Sequence, residues 1–310
     1  MTRISDVLAA GRCFSVELWP PRSTAAEERL EVALKDLWPL APSFTSITYG
    51  AGGSTRERTH DLVIRLLRDS PAPPMAHLTC MAHTEADLRS ILMRYRDEGV
   101  ENVLALRGDP PLNATEDLPE GDLEYALELV ELAKSVGNFC VAVAAHPEGH
   151  PRSPDIGTDR MHLAEKLRVA DFAITQFFFR VESYLDLVEA LRKMGVDKPV
   201  LPGIMPITNV RTVSRMAELS GTQVPSKIAE RIEAVADRPQ EVHRIGVEIA
   251  SEIGNRLLAE GAPGLHFYTM NSALATREVY SNLGLDRLRG TDDISTSRSA
   301  GGMSEGETCK

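Results

Sequence analysis

Polar residues follow several short apolar runs in this sequence, and the run from Val103 to Leu106 is the clearest case. It stops abruptly on Arg107, Gly108 and Asp109. Gly108 would let the backbone turn and approach a ligand closely, which places Asp109 at the carboxyl end of a buried strand. Barrel enzymes keep their catalytic residues at that end of the strands. The plainer alternative is a loop whose aspartate caps the next helix.

The apolar run from Phe14 to Leu18 contains a second candidate carboxylate. Strand alternation puts Ser15 and Glu17 on one face and only apolar residues on the other. A carboxylate that faces the interior is costly unless it is paired or functional. Apolar surroundings would raise the pKa of Glu17, which suits a general acid near neutral pH. A buried ion pair is the alternative.

Other apolar runs end on polar residues of the same kind, and each of these residues could be a helix cap or a hydrogen-bonded core residue. They are Thr48, His77, Thr79, His146, Glu148, His150, Thr175, Gln176, His266, Tyr268 and Asn271. Because nearly every apolar run ends on such a polar residue, the residues together predict one shared ligand site. No metal site is predicted, because Pro147 and Pro151 argue against a helix that would present His146 and His150 on one face.

The elements that would position these residues alternate between strand and helix along the whole chain. The predicted strands are 14–18, 44–49, 75–79, 102–106, 139–145, 172–177, 200–204 and 265–268, each followed by a helical pattern. Eight such units predict an α/β protein of the (β/α)₈ TIM-barrel class. A doubly wound sheet is the alternative, but it usually has a glycine-rich first turn, whereas the first run here ends in Trp19-Pro20-Pro21-Arg22.

Composition sets further limits on domains and partners. The chain has 310 residues, 43% hydrophobic and 25% charged, with a net charge of −11, which is globular and argues against nucleic acid as a partner. We predict one catalytic domain over 1–289 and a disordered tail over 290–310, where apolar residues almost disappear. The sequence shows no membrane span and no signal peptide. Cys13, Cys80 and Cys140 are expected to be reduced core residues, which favours a cytoplasmic protein. The sequence does not determine the oligomeric state.

Eight motifs, in order and at matching spacings from about residue 13 to 285, resemble the methylenetetrahydrofolate reductase family. They are FSVELWPPRS (14–23), SITYGAGG (46–53), HLTC (77–80), ALRGD (105–109), AAHPEGHP (144–151), ITQFFF (174–179), PGIMPITN (202–209) and HFYTMN (266–271). The resemblance implies a (β/α)₈ barrel that reduces 5,10-methylenetetrahydrofolate to 5-methyltetrahydrofolate, a reaction of one-carbon metabolism and methionine biosynthesis. Family members pass the hydride of NAD(P)H through a flavin.

The resemblance also implies roles for individual residues. Glu17 would be the general acid whose proton opens the folate's five-membered ring to a 5-iminium cation, and Asp109 would lie beside the pterin. The expected folate-binding residues are Ser15, Thr48, Gln176 and Tyr268. The expected cofactor-binding residues are His77, Arg107, Gly108, His146, His150 and Lys166.

Departures from the family pattern concentrate on the flavin. His146 stands where a tyrosine usually packs against it, and Glu165 stands where an arginine usually holds its phosphates. A glutamate there repels a pyrophosphate. We therefore expect no FAD and direct hydride transfer from NADH, with NADPH as the alternative donor. A family arginine after the last strand aligns with Ser272, so other residues are expected to bind the folate's glutamate.

Three other interpretations remain open at this stage. The same reduction could run through bound FAD. The chain could instead be a non-catalytic regulatory paralogue that binds folate or a nucleotide, although such a protein would be expected to lose its general acid before its cofactor site. A pterin-dependent transferase is the third, against which the motifs at 14–23 and 174–179 argue.

Overall fold

Eight parallel strands close into a barrel in chain order, which confirms the predicted (β/α)₈ fold. A computed structural model describes residues 2–50, 56–108 and 121–285. The strands are β1 (Cys13–Leu18), β2 (Phe44–Ile47), β3 (Pro74–Thr79), β4 (Asn102–Leu106), β5 (Cys140–Ala145), β6 (Phe172–Phe177), β7 (Val200–Ile204) and β8 (Gly264–Tyr268). The ring closes where Cys13 to Glu17 pair with Gly264 to Tyr268.

Helices surround the barrel, and three of them follow β7 before the last strand. They are α1 (Ile4–Ala10), α2 (Thr24–Leu37), α3 (Arg56–Asp69), α4 (Glu85–Glu98), α5 (Ala126–Val136), α6 (Ile156–Val169), α7 (Val181–Lys193), α8 (Val210–Ser220), α9 (Ser226–Glu233), α10 (Pro239–Ala259) and α11 (Leu274–Asn282). A short 3₁₀ helix, Trp38–Leu40, follows α2. The bounds of β4, β6 and β7 are those predicted, whereas β2 ends two residues earlier than expected.

Strand alternation divides the apolar residues into two cores. The outward-facing residues Phe14, Val16 and Leu18 belong to the large core between strands and helices. Inside the barrel, the amino half is filled by a separate layer that contains Phe44, Met75, Leu104, Phe172 and Leu201. The polar residues of the barrel interior therefore lie above this layer, toward the carboxyl ends of the strands.

Helix α1, which the sequence did not predict, closes the amino end of the barrel. Its buried Ile4 and Leu8 pack on the interior layer. The Ile4 amide donates to Asn102 Oδ1 at 2.9 Å, and the Ser5 amide donates to Cys140 Sγ at 3.3 Å. Both partners are the first residues of their strands, so α1 lies across the barrel floor.

Two predictions, those for Asp109 and for the disordered tail over 290–310, concern residues outside the described ranges. Within the described ranges, no helix is long and apolar enough to cross a membrane. The same ranges contain no group of three His, Cys, Asp or Glu residues that could hold a metal ion. Cys13, Cys80 and Cys140 are buried free thiols, as expected.

Candidate active site

Glu17 lies on the axial face of β1, near its carboxyl end, and only 9% of the residue is exposed. Its Oε1 accepts a hydrogen bond from Trp19 Nε1 at 3.2 Å. Burial raises the pKa of Glu17 to about 7, and the Trp19 hydrogen bond opposes this shift. The carboxyl group therefore holds a proton in a substantial fraction of molecules at neutral pH.

His77 on β3 is a titratable neighbour of Glu17, with Nε2 at 4.0 Å from Glu17 Oε2. Burial lowers the pKa of His77 to about 3, so the imidazole is uncharged at neutral pH. The ion pair that was the alternative for Glu17 is therefore not formed with His77. Among the described residues, His77 Nε2 is a buried nitrogen without a hydrogen-bond partner, which makes it available to a ligand.

Below Glu17, the interior is a neutral hydrogen-bonded layer centred on His266 of β8. Its Nδ1 lies 2.8 Å from Ser15 Oγ and its Nε2 lies 3.5 Å from Ser46 Oγ. Burial lowers the pKa of His266 to about 3. No charge from this layer compensates an ionised Glu17, which is why desolvation dominates its pKa. The sequence named His266 only as a strand-end residue and missed Ser46, although alternation from Phe44 would have placed Ser46 inside.

The connection from β8 to α11 fixes the end of β1. Asn271 Nδ2 donates to the Trp19 carbonyl and its Oδ1 accepts from the Trp19 amide, both at 2.8 Å. Thr269 Oγ1 donates to the Glu17 carbonyl at 2.6 Å. Met270 and Asn271 have φ values of 51° and 56°, a left-handed conformation that is uncommon for methionine. This bend therefore positions Trp19, and through it Glu17; sequence patterns did not reveal this function of Trp19.

Tyr268 and Gln176 are both held by local contacts. The Tyr268 hydroxyl donates to the Thr175 carbonyl at 2.7 Å, and Gln176 Oε1 accepts from the Phe177 amide at 2.9 Å. Gly203 makes room for the tyrosine, because a Cβ at position 203 would lie 2.5 Å from Tyr268 Cε2. Thr48 is half-buried at the end of β2, on the same side of the barrel mouth as Glu17.

The residues predicted to bind a cofactor divide into two groups. His146 and His150 stack with ring centroids 4.6 Å apart, and Lys166 Nζ donates to the Ala144 carbonyl at 3.4 Å, close enough for its charge to lower the pKa of His146. Burial is the largest cause and the neighbouring His150 is the second, and together with Lys166 they lower the pKa of His146 to about 3. Arg107 does not join this group, because its exposed side chain donates from Nε to the Glu124 carbonyl at 3.2 Å.

Gly108 has a φ of 84°, so it supplies the turn that the sequence predicted at the end of β4. A Cβ at this position would lie 2.9 Å from Thr79 Cβ. The loop therefore approaches β3 more closely than a side chain would allow.

Residues 221–225, here called the α8–α9 link, cover the mouth above β5 and β6. Thr222 Oγ1 donates to the Phe177 carbonyl at 3.0 Å, and the Gln223 amide donates to Glu148 Oε2 at 2.8 Å. The cavity left between His146, Gln176 and Thr222 has a volume of about 10 Å³. The described residues therefore leave little open space beside the α8–α9 link, which we call the filled side of the mouth.

The opposite side of the mouth is open. A groove of about 1080 Å³, here called the β1–β8 groove, runs from Trp19 and Thr48 outward between α2 and α11. Its walls are residues 19–23, one face of α2 and residues 270–274.

The family model for methylenetetrahydrofolate reductase matches residues 3–284. This chain belongs to the methylenetetrahydrofolate reductase family. The 5,10-methylenetetrahydrofolate reductase of Pectobacterium carotovorum is 35% identical over 272 residues, which cover 87% of this chain and 90% of that protein. The Escherichia coli protein of the same name is 34% identical over 273 residues, with the same coverage. The resemblance drawn from the eight motifs is thereby confirmed.

Two further comparisons concern a longer relative and a shared fold. Methylenetetrahydrofolate reductase (NADH) 1 of Arabidopsis thaliana is 34% identical over 297 residues, covering 91% of this chain and 50% of that one. A Clostridium thermocellum structure, described as binding two copies of 5-methyl-5,6,7,8-tetrahydrofolic acid, superposes with a TM-score of 0.66 at 15% identity. It covers 93% of this chain and shows that the two proteins share a fold. Methylenetetrahydrofolate reductases are oxidoreductases, so this chain belongs to an enzyme family.

Proposed function

We propose that this protein reduces 5,10-methylenetetrahydrofolate to 5-methyltetrahydrofolate, with a reduced nicotinamide nucleotide as the hydride donor and Glu17 as the general acid. The observation that carries the proposal is the state of Glu17, a buried carboxyl group at the end of β1 whose pKa is raised to about 7. An acid of this strength can give up a proton near neutral pH. Membership of the family supplies the reaction for which that proton is needed.

The reaction requires a proton and a hydride. Glu17 donates its proton to N10 of the folate, the bond from N10 to the bridging carbon breaks, and the N5 lone pair forms the 5-iminium cation. Hydride addition to that carbon then gives the methyl group, so one proton and one hydride are consumed. The carboxylate left on Glu17 stabilises the adjacent cation, and the hydrogen bond from Trp19 stabilises the carboxylate.

The remaining folate contacts stay predictions. Ser15, Thr48, Gln176 and Tyr268 stay our proposed folate-binding residues. His77 Nε2 is the buried, unsatisfied group beside Glu17, and a bound pterin would give it a partner. The role of Asp109 beside the pterin stays a prediction, since this residue lies outside the described ranges.

The residues on the filled side do not fit FAD. The first turn of α6 carries Asp155 as its N-cap and Asp159 behind it, and the exposed Glu165 follows on the same helix. These carboxylates oppose a pyrophosphate. We therefore propose direct hydride transfer, with the nicotinamide entering on the side of His146, His150 and Lys166. The name of the Arabidopsis relative, which specifies NADH, favours NADH over NADPH.

The first experiment is an absorbance spectrum of the purified protein, followed by NADH oxidation with methylenetetrahydrofolate and no added flavin. We expect a colourless protein that oxidises NADH only when the folate is present. Stoichiometric FAD that is required for activity would overturn direct transfer and leave the reductase intact. Absence of folate-dependent oxidation, with or without added FAD, would overturn the reductase and favour a regulatory protein.

A further inference from the structure

Two polar side-chain atoms at the barrel mouth are buried and are not needed for the acid step. They are Thr79 Oγ1, at the end of β3, and His146 Nδ1, directly after β5. Among the described residues neither atom has a hydrogen-bond partner, and Thr79 is only 4% exposed. A buried polar group without a partner is costly, so these two atoms indicate a ligand that would satisfy them.

Strand alternation directs both side chains toward the barrel axis. Thr79 lies four residues after Met75, which belongs to the interior layer. His146 lies four residues after Ala142, which belongs to the same layer. An even separation along a strand keeps the same face. Between these two strands, β4 leads into Gly108, which has no side chain, so Thr79 and His146 flank the end of β4 on its two sides.

Both groups are uncharged at neutral pH. Burial, with His150 and Lys166 nearby, lowers the pKa of His146, and the threonine hydroxyl carries no charge. A phosphate or a carboxylate binds best to charged donors, whereas neutral groups suit a neutral amide. The carboxamide of a nicotinamide ring has an acceptor oxygen at one end and an NH₂ donor at the other. It therefore matches two neutral hydrogen-bonding groups that lie on either side of one strand.

We propose that Thr79 and His146 bind the carboxamide of the reduced nicotinamide. Its N–H donates to Thr79 Oγ1, and its oxygen accepts from His146 Nδ1, which carries the imidazole proton in this assignment. The site rests on the proposed function, since it places the hydride donor in the mouth without a flavin. Contacts at both ends of the carboxamide fix the rotation of the ring, and correct orientation of the hydride donor is a main requirement of the transfer.

The position of the two groups favours the nicotinamide over the pterin. The pterin is proposed to lie beside Glu17 and His77, whereas His146 stacks on His150 close to Lys166, where the nicotinamide is proposed to enter. A group held at the ends of both β3 and β5 lies between these two places. The hydride must pass between the two rings there.

The first test compares NADH with reduced 3-acetylpyridine adenine dinucleotide, in which a methyl group replaces the amide NH₂. Dissociation constants are measured by calorimetry on the purified protein without folate. We expect the wild-type protein to prefer NADH by about fivefold, the effect of one hydrogen bond. Thr79→Val should bind NADH about fivefold more weakly and the analogue as the wild type does, so the preference should disappear. Thr79→Ser keeps the hydroxyl and should retain the preference.

The other end of the carboxamide is tested with the reduced thionicotinamide dinucleotide, whose sulfur is a weaker acceptor than the amide oxygen. The wild-type protein should prefer NADH by about threefold. His146→Phe keeps a flat ring beside His150 but removes Nδ1, so it should bind the two dinucleotides equally. Thr79→Val should keep this second preference, because it changes only the contact with the NH₂ group.

The matched control is Thr45→Val. Thr45 Oγ1 is likewise buried without a partner in the part of the chain that the structure describes. Thr45 lies on β2 next to Phe44 of the interior layer, so it faces the helices and not the axis. Without ligand, both valine variants should be no less stable than the wild type, because each loses a hydroxyl that makes no hydrogen bond. Only Thr79→Val should change the preference for NADH.

Several outcomes would overturn the carboxamide site. They are a wild-type protein that does not bind NADH or does not prefer it to the acetyl analogue, and a Thr79→Val variant that keeps the preference or loses equal affinity for both dinucleotides. Thr79→Val that loses affinity for 5-methyltetrahydrofolate and not for NADH would assign the hydroxyl to the pterin instead. Because binding is measured without turnover, a Thr79-dependent preference in a protein that oxidises no NADH contradicts the proposed reaction and supports the site.

Discussion

The two sides of the barrel mouth differ in their open volume and in the titratable group that each side buries. On the side of β1, β2 and β8, the mouth opens into a groove of about 1080 Å³, and the buried titratable group is an acid with a raised pKa. On the side of β5 and β6, the α8–α9 link leaves about 10 Å³, and the buried titratable group is a histidine with a lowered pKa. Burial favours the neutral form in both cases.

This contrast shows how one fold can keep a buried carboxyl group with a raised pKa while the opposite side of the mouth changes. Glu17 is fixed by β1 and by the β8–α11 bend, and within the described ranges no hydrogen bond joins either element to the α8–α9 link. Substitutions around β5 and α6 can therefore alter ligand binding without moving the acid. The following predictions test whether the two sides are separate in function as well as in structure.

The largest expected effect is on turnover in Glu17→Gln. The amide keeps the shape and the Trp19 contact but cannot donate the required proton, so kcat should fall by about 10²–10⁴-fold. His146→Gln, on the filled side, should act mainly on KM for NADH. Steady-state NADH oxidation measures both, and circular dichroism checks that each variant is folded. A Glu17→Gln variant with near-normal kcat would refute the general-acid role.

The next effect is on the pH dependence of stability, where the two sides should have opposite signs. The pKa of Glu17 is raised from 4.5 to about 7, so wild-type stability falls as pH rises through this window, by about 2–3 kcal/mol. Glu17→Gln should lack this loss. The pKa of His146 is lowered from 6.5 to about 3, so the stability that the neutral imidazole contributes to the folded protein is lost as pH falls from 6.5 toward 3. Urea unfolding of wild type and both glutamine variants at pH 5 and pH 8 tests these two predictions. An equal change in the free energy of unfolding between the two pH values for wild type and Glu17→Gln would contradict the prediction for Glu17.

A smaller effect should follow from removing the hydrogen bond that Trp19 donates. This bond stabilises the carboxylate form of Glu17, so Trp19→Phe should raise the pKa of Glu17 further. The descending limb of the kcat/KM profile should move to higher pH by up to about one unit, since one such bond is worth about 1 kcal/mol. Tyr184→Phe, which removes a buried hydrogen bond of α7, is the control and should not move the profile.

The smallest effect concerns the α8–α9 link. Glu148→Ala removes the acceptor of the Gln223 amide, so hydrogen exchange at that amide should accelerate by about fivefold. Glu165→Ala, an exposed carboxylate on α6, should leave exchange at Gln223 unchanged. Unaltered exchange in Glu148→Ala would show that the link is held by its other contacts, such as Thr222 with the Phe177 carbonyl.

The sequence predicted the barrel well because its strands are continuous apolar runs that local pattern detects. The bounds of β4, β6 and β7 matched, and alternation placed Ser15 and Glu17 on one face. Helix α1 escaped prediction because it is only seven residues long. Its reason for being helical lies in contacts with Asn102 and Cys140, which are far away in the chain.

The site was predictable in its residue types and less so in its connections. A buried acid at Glu17 follows from alternation, but the Asn271 contacts that hold Trp19 join opposite ends of the chain and leave no local pattern. Arg107 shows the reverse case. Val103 and Ala105 face the helices, so alternation would have placed Arg107 on the outer side, where it contacts the Glu124 carbonyl.

Helix α1 closes the amino end of the barrel, so Glu17 is approached from the carboxyl ends of the strands. Ile4 and Leu8 cover the floor, so within the part of the chain that the structure describes, water approaches Glu17 from the side where we propose that the substrates bind. On the proposed mechanism, folate and NADH together close that side, and the proton used in a turnover must already be on Glu17 when they arrive. On this mechanism Glu17 is therefore reprotonated once per cycle, after the methylated product leaves.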